Sequence, residues 1–328
     1  MGELLKTRRA GSASRFAKLE ANLDAAKKLA ADKACVYATG SFGRNEASSH
    51  SDVDLFIVGG TDDKEARTLS GLDEICLKAE LIEATRNLEI PDFSGDGEYL
   101  IHYTIGELVK TLGKPDDDAS NTFTARLLLI LESRPLVGSK FYDSVIDKVI
   151  SPYWGDYGDR KNEFIPAFLT NDILRLWRTF CVNYEARTER EPSARKAKRK
   201  LKNYKLKHSR LLTCYSALLY LLAVYGKSKT VSPADAVQMI RMTPTERLEW
   251  LLQQPHLAST HPTVNGLIAG YEKFLSQTDA PEKELIEKFM DPATSKTYFS
   301  EASDFGGLMF TAIEGIGARS KLHQVLVV

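Results

Sequence analysis

The chain has 328 residues, more than one small core usually needs and typical of two domains. Hydrophobic residues make up 43% and charged residues 27%, a globular balance that excludes a wholly disordered chain. Lysine plus arginine and aspartate plus glutamate each number 44, so the net charge indicates affinity for neither nucleic acid nor membrane.

Cysteines and apolar residues are distributed as in a cytoplasmic protein. The four cysteines lie far apart in the sequence and form no C-x-x-C pair, which favours reduced thiols. Residues 1–31 are charged and lack the apolar core of a signal peptide. The longest apolar stretch, residues 217–225, is far shorter than the roughly twenty residues that span a bilayer. The sequence therefore predicts a cytoplasmic location without membrane contact.

The first half of the chain mixes helical and strand signals. Apolar residues at helical spacing predict a helix over about the first thirty residues. Short β-prone runs predict strands over residues 34–38, 53–58 and 99–103. A helix capped by Asp62 is predicted to run to about Asn87, and further helices over residues 105–112 and 122–132. The predicted apolar face of the helix after Asp62 consists of Leu69, Leu72, Ile75, Cys76, Ala79 and Ile82.

Beyond about residue 160 the signals are mainly helical. Candidate helices span residues 171–184, 204–225, 233–242, 245–254 and 262–276. The sequence therefore predicts an α+β protein, with a small mixed sheet in a domain over residues 1–155 and an all-α helical domain over residues 160–328.

One segment between the first two strands carries groups suited to phosphate and metal chemistry. The first strand ends in Gly40-Ser41 and turns into a short helix, where backbone N–H groups and a hydroxyl suit a phosphate. On the next strand Asp52 and Asp54 are two residues apart, so both carboxylates point to the same side of the sheet. Each feature alone also occurs as an ordinary turn or as solvated charge. The occurrence of both features in this order is what indicates a phosphate and metal site.

Two carboxylates on one face repel each other unless a cation compensates them. Mg²⁺ or Mn²⁺ is the natural partner because these hard ions take carboxylate and phosphate oxygens. With a third carboxylate and a triphosphate, such a site would hold two ions about 4 Å apart and act by charge stabilisation at phosphorus. The sequence has no G-x-x-x-x-G-K-[ST] loop, which argues against a Walker-type NTPase.

Residues 36–56, with Gly-Ser-Phe-Gly-Arg-Asn-Glu followed by Asp-Val-Asp, resemble the signature of polymerase β-like nucleotidyltransferases. The spelling is most similar to the branch of bacterial protein uridylyltransferases and adenylyltransferases and kanamycin-type nucleotidyltransferases. The resemblance implies a nucleotidyltransferase domain in which Gly40 and Ser41 bind the β- and γ-phosphates of an NTP such as ATP. It also implies that Asp52 and Asp54 are metal ligands. Arg44, in the same motif, is a further candidate contact to the nucleotide.

The resemblance also implies a third carboxylate on a later strand. Asp92, Asp96 and Glu98 precede the predicted strand over residues 99–103. Asp96 and Glu98 share parity, so both are candidates to face the site and activate the acceptor. Gly95-Asp96-Gly97 also has the composition of a tight turn, in which aspartate needs no catalytic role. The choice of the third carboxylate stays open.

Two arginines of the predicted helix over residues 171–184 are further candidate contacts. Arg175 and Arg178 share one helix face, and the resemblance implies that such a face of the helical domain contacts the triphosphate. The alternative is a solvated polar face on which Asp172 pairs with Arg175.

The most basic stretch of the chain lies between residues 187 and 210. Residues 195–210 are a candidate contact to nucleic acid or to an acidic protein surface, and the alternative is a solvated loop between two helices. Lys205, at the start of the following helix, is also a candidate contact to the nucleotide.

These features together predict an enzyme that transfers a nucleoside monophosphate from an NTP to a hydroxyl acceptor and releases pyrophosphate. The acceptor is a protein side chain, a tRNA end or a small molecule, and the sequence does not distinguish them. One alternative is a nucleotide-binding regulatory module, or a toxin–antitoxin or defence component, with weak or no transferase activity. A weaker alternative is an RNA-binding protein that uses the basic stretch.

Overall fold

Strands and helices mix in the first half of the chain and helices follow in the second, in a computed structural model that describes residues 2–93, 97, 100–185 and 193–327. Two compact units form. One unit is Leu5–Gly155, and the other consists of Asp156–Val328 with the first four residues. All described strands belong to the first unit, which confirms the predicted α+β fold class.

A small mixed sheet forms the centre of the first unit. Strand β1 (Ala34–Thr39) pairs antiparallel with β2 (Asp54–Gly59), and β2 pairs in parallel with β3 (His102–Thr104). On its other side β1 pairs antiparallel with β4 (Arg134–Val137), so the described strands follow the order β3-β2-β1-β4. All six residues of the central strand β1 are buried, as expected for a strand covered on both faces.

Helices pack on both faces of this sheet. Val36, Leu55 and Ile57 point to one face and join a core with side chains from the first two helices and the helix after β2. On the other face Tyr37 stacks on Phe56, with ring centroids 5.6 Å apart. The helices of this unit are α1 (Glu3–Ala21), α2 (Asp24–Ala30), α3 (Gly40–Gly43), α4 (Gly71–Asn87), α5 (Ile105–Lys110), α6 (Asp116–Ala119), α7 (Thr122–Glu132) and α8 (Ser139–Ile150).

Several boundaries differ from the sequence prediction. The first predicted helix is divided into α1 and α2. Helix α4 begins at Gly71, where the Ser70 side chain accepts a hydrogen bond from the Asp73 N–H. Asp62 instead accepts hydrogen bonds from two backbone N–H groups of a turn, so it does not cap the helix. Strand β4 escaped prediction because it contains Pro135, which only an edge strand tolerates.

The predicted apolar face of α4 is wrong for Leu72, Ile75, Cys76 and Ala79, which are exposed, whereas Leu69 and Ile82 contribute to the core as predicted. Leu77, Leu81 and Ala84 are buried, whereas Leu72 and Ile75 are 78% and 65% exposed. Helix α2 packs against α4, and its buried alanines belong to the same core as Leu77 and Leu81. Tertiary packing therefore buries the stripe with Leu77, Leu81 and Ala84 and leaves Leu72 and Ile75 exposed.

The second unit contains helices at each of the five predicted places and additional ones. Residues 193–205, a loop in one interpretation of the sequence, form a helix. The helices are α9 (Ala167–Glu185), α10 (Ser193–Lys205), α11 (Leu211–Ser228), α12 (Pro233–Arg241), α13 (Pro244–Leu252), α14 (His261–Gln277), α15 (Glu282–Met290), α16 (Pro292–Gly317) and α17 (Lys321–Val325). A π-helical turn, Leu206–Arg210, joins α10 to α11.

The π-helical turn carries a buried histidine. The His208 ring lies between Phe274 and Phe305, with ring centroids 4.6 and 4.9 Å away, and its Nδ1 lies 3.0 Å from the Tyr204 carbonyl oxygen. In the part of the chain that the structure describes, Arg195–Ser228 is the one helix long and apolar enough to cross a membrane. However, 78% of its most apolar window is buried inside the protein, which is typical of a core helix.

Candidate functional site

The turn after β1 requires glycine at position 40. The strand passes directly into α3, and Gly40 begins this helix with φ +63°, in the left-handed region where other residues are strained. A β-carbon on Gly40 would lie 2.5 Å from Oδ2 of Asp54, which is closer than such atoms approach. The structure therefore brings the glycine of the turn and the second aspartate of the motif into direct contact.

The two aspartates of the motif lie where β2 begins. Asp54 is the first residue of β2 and pairs with Thr39, the last residue of β1, while Asp52 lies two residues before it. Both aspartates and Ser41 are partly exposed. Two partly exposed carboxylates offer the oxygen ligands that a divalent cation takes, and the hydroxyl of Ser41 can donate to a phosphate. Asp52 and Asp54 would thus supply two ligands to such an ion.

Glu132 contacts the turn, although the motif does not point to it. Its Oε1 accepts a hydrogen bond from the Gly40 N–H at 3.0 Å, and its Oε2 accepts one from Nη1 of Arg44 at 2.8 Å. The side chain is fully buried. One feature of the sequence could have revealed it: the apolar helix α7 ends in an acidic residue, where the helix dipole disfavours negative charge.

Arg44, a predicted contact to the nucleotide, lies in buried ion pairs. Its Nε donates to Oε2 of Glu46 at 3.0 Å, and its Nη1 donates to Glu132. The Arg44 side chain is 8% exposed and that of Glu46 is 1% exposed. Charge-assisted bonds to two carboxylates fix the orientation of the guanidinium. Arg44 therefore supports the turn from inside, and a contact from it to a nucleotide stays a prediction.

Two further arginines hold the loop that follows α3. Arg15 of α1 donates to the Ser48 carbonyl oxygen, and its guanidinium lies 5.1 Å from the centroid of the Phe42 ring. Partial burial lowers the pKa of Arg15. Arg134 of β4 donates to Oδ1 of Asn45 at 3.1 Å. The loop between β1 and β2 is thus held from two sides.

Two candidates for the third carboxylate, Asp96 and Glu98, lie outside the described residues. The remaining candidate, Asp92, is exposed and its Oδ1 lies 3.3 Å from Nε of Arg86. Among residues 2–93, 97, 100–185 and 193–327, no group of three or more His, Cys, Asp or Glu side chains could hold a metal ion. The identity of the third acid therefore stays a prediction.

Arg175 and Arg178 line a groove of about 690 Å³ in the second unit. Phe168 and Val182 contribute apolar surface to the same groove. Nη1 of Arg175 lies 4.0 Å from Oδ1 of Asp172, the pair that the solvated-face interpretation predicts. Asp172 lines the same groove, so part of the positive charge of the two guanidinium groups is compensated there. Binding of a triphosphate there stays a prediction.

The basic stretch forms one face of α10. Leu201 and Tyr204 are buried on the other face, while Lys205 is exposed at its end. Nζ of Lys198 lies 3.2 Å from a carboxylate oxygen of Glu282 on α15, so part of the positive charge is compensated within the unit. A contact from residues 195–210 to nucleic acid, or from Lys205 to the nucleotide, stays a prediction.

Comparison with known proteins finds a family match for part of the first unit. No curated protein and no solved structure is significantly similar to the chain. Residues 20–124 match the family model of the nucleotidyltransferase domain. The matched region contains β1, β2 and β3, and with them Gly40, Ser41, Asp52 and Asp54, but ends before Glu132. Residues 20–124 therefore match a nucleotidyltransferase domain, the domain of the polymerase β-like superfamily.

Proposed function

We propose that the protein transfers a nucleoside monophosphate from an NTP to a hydroxyl acceptor and releases pyrophosphate, with a divalent metal ion as cofactor. The observation that carries this proposal is the contact between Gly40 and Asp54, which places a carboxylate directly beside the turn that would bind phosphate. The family match to residues 20–124 supports the same general reaction.

In this proposal Asp52 and Asp54 hold Mg²⁺ or Mn²⁺, and Ser41 offers its hydroxyl and backbone N–H to the β- and γ-phosphates. When bound, the metal neutralises negative charge that develops on the phosphates. The Gly40 N–H already donates to Glu132, so the phosphate donors of the turn begin at Ser41. This refines the sequence interpretation, in which Gly40 and Ser41 both bind phosphate.

The acceptor hydroxyl needs a base, and we assign this role to Asp96 or Glu98, with Asp92 as the third candidate. Arg175, Arg178 and Lys205 of the second unit are proposed to contact the nucleotide. The acceptor is a protein side chain, a tRNA end or a small molecule.

The decisive experiment is incubation of the protein with each α-labelled NTP, Mg²⁺ and a lysate of the host cell. Label in protein, RNA or a small molecule identifies the acceptor class, and parallel reactions with Asp54→Asn show whether the label depends on the site. Absence of any labelled product, together with tight NTP binding in calorimetry without Mg²⁺, would instead indicate a nucleotide-binding regulatory module or a defence component.

A further inference from the structure

Glu132 lies outside the signature motif and outside the region that the family model matches, yet it contacts the backbone of the proposed phosphate-binding turn. Its two carboxylate oxygens have different partners. Oε1 accepts from the Gly40 N–H and Oε2 accepts from Arg44. The side chain is fully buried, so solvent does not compete for either oxygen.

A buried carboxylate is costly unless charged or polar donors satisfy it, and here both donors belong to one short segment. Helix α3 has only four residues and cannot hold its own conformation. Its backbone bonds, from Arg44 N–H to Gly40 O at 2.9 Å and from Glu46 N–H to Ser41 O at 2.8 Å, persist only while Gly40 keeps its left-handed φ. The bond from Gly40 to Glu132 fixes the orientation of that residue.

Arg44 provides the second connection. Its guanidinium donates to both Glu132 and Glu46, so it connects the carboxylate that holds Gly40 to a residue after α3. Loss of the bond to Gly40 would remove the carboxylate partner of the Gly40 N–H, whereas loss of the bond to Arg44 would leave its guanidinium held by Glu46 but no longer connected to Glu132. The carboxylate thus restrains the turn through two independent hydrogen bonds, one to the backbone and one through a side chain.

We propose that Glu132 is a positioning residue that holds the Gly40-Ser41 turn in the conformation that receives the triphosphate. This inference rests on the proposed function, because it assigns the turn to phosphate binding. Glu132 does not itself touch the nucleotide. It holds the Gly40 N–H on the buried side of the turn, next to the partly exposed Ser41.

The first test measures the turn without any activity. Glu132→Gln retains one hydrogen bond and loses the other, because an amide offers a single acceptor oxygen. We expect amide hydrogen exchange in peptides spanning residues 38–46 to become about tenfold faster or more. Asp117→Asn is the matched control, since Asp117 is also fully buried in the first unit and pairs with a buried arginine, Arg126. This control should leave exchange in residues 38–46 unchanged.

The second test separates positioning from general destabilisation. We expect Glu132→Gln to lower kcat/KM for the NTP by about 10- to 100-fold, mainly through a raised KM, at a temperature where the variant remains folded. Asp117→Asn should lower the thermal midpoint with little change in KM. Arg44→Lys keeps the charge but not the fork that contacts both Glu46 and Glu132, and should produce an intermediate loss.

The outcomes are distinguishable. A wild-type protein without NTP turnover or NTP binding would overturn the proposed function, and the exchange experiment would still report on the turn. Glu132→Gln with unchanged exchange in residues 38–46, or with the same kinetic effect as Asp117→Asn, would overturn the positioning role whatever the reaction proves to be.

Discussion

Gly40 lies so close to Asp54 that a β-carbon on residue 40 would come within 2.5 Å of the Asp54 Oδ2 atom. Strand pairing places Asp54 beside Thr39, and the Asp54 carboxylate also reaches the next residue, Gly40. Position 40 therefore requires glycine for two reasons: its φ is +63°, and the Asp54 carboxylate occupies the space that a β-carbon would need.

Gly40→Ala is therefore expected to damage both stability and activity. The left-handed φ and the overlap with Asp54 should together cost about 2–4 kcal/mol of unfolding free energy. Urea denaturation checks this value, and NTP turnover should fall along with it because the carboxylate must move. Gly97→Ala is the stability control, since Gly97 also has a positive φ of +79° but no other residue that the structure describes lies within 4 Å of the added carbon. It should cost only about 1–2 kcal/mol.

Asp52→Asn and Asp54→Asn are each expected to lower Mg²⁺-dependent pyrophosphate release by a hundredfold or more, on the order of the loss for a missing metal ligand. The thermal midpoint should stay near that of the wild type, because both side chains are partly exposed. Asp24→Asn, which removes an exposed carboxylate of α2 that pairs with Lys27, should leave the rate unchanged. Retained turnover in both site variants would exclude the metal mechanism.

The sequence predicted the β1–turn–β2 arrangement well because each part is encoded locally. A short apolar strand, a glycine-serine turn and an Asp-x-Asp pair all show their conformation in a few neighbouring residues. The acidic end of the apolar helix α7 singles out Glu132 in the sequence, but its partner Gly40 could not be predicted, since the contact joins residues 92 positions apart and depends on β4 lying beside β1. Arg44 illustrates the same limit: its place in the motif indicates a role, but only tertiary structure shows that its partners are two buried glutamates.

Helix α4 has two apolar stripes, and the sequence pattern alone did not show which of them is buried. Truncation of one leucine on each stripe measures this. Leu77→Ala should cost about 2–5 kcal/mol of unfolding free energy, as truncation of a fully buried leucine does. Leu72→Ala on the exposed stripe should cost about 0.5 kcal/mol or less. Urea denaturation of the two variants distinguishes the stripes, and a large loss for Leu72→Ala would show that this face is covered in solution.

His208 should make stability depend on pH. Burial lowers the pKa of its imidazole from 6.5 to about 4, against the opposing effects of the Tyr204 carbonyl and Glu301; Lys207 lowers it further. Between these values the unfolded chain binds a proton that the folded chain does not. The contribution of His208 to the unfolding free energy should therefore be complete above pH 6.5. It should decrease by about 3 kcal/mol as the pH falls from 6.5 to 4. His208→Met should remove this part of the pH dependence in urea titrations at several pH values, while the remaining carboxylates titrate alike in both proteins.

Asp117 and Arg126 form a buried ion pair, and removal of one partner alone should lower the unfolding free energy strongly. Nη1 of Arg126 lies 2.9 Å from Oδ1 of Asp117, and the same guanidinium donates to Tyr153 Oη and to the Leu108 carbonyl oxygen. Burial alone would raise the pKa of Asp117, but the hydrogen bond from Arg126 and others outweigh it and lower the pKa.

Asp117→Leu leaves the Arg126 charge buried and should cost about 3–5 kcal/mol. The double variant with Arg126→Met removes that charge and should recover part of the loss, though not all, because Tyr153 and Leu108 lose their donor. Urea denaturation of the single and double variants measures the difference. A double variant less stable than Asp117→Leu would mean that the hydrogen bonds of Arg126 outside the pair matter more to the fold than the charge balance does.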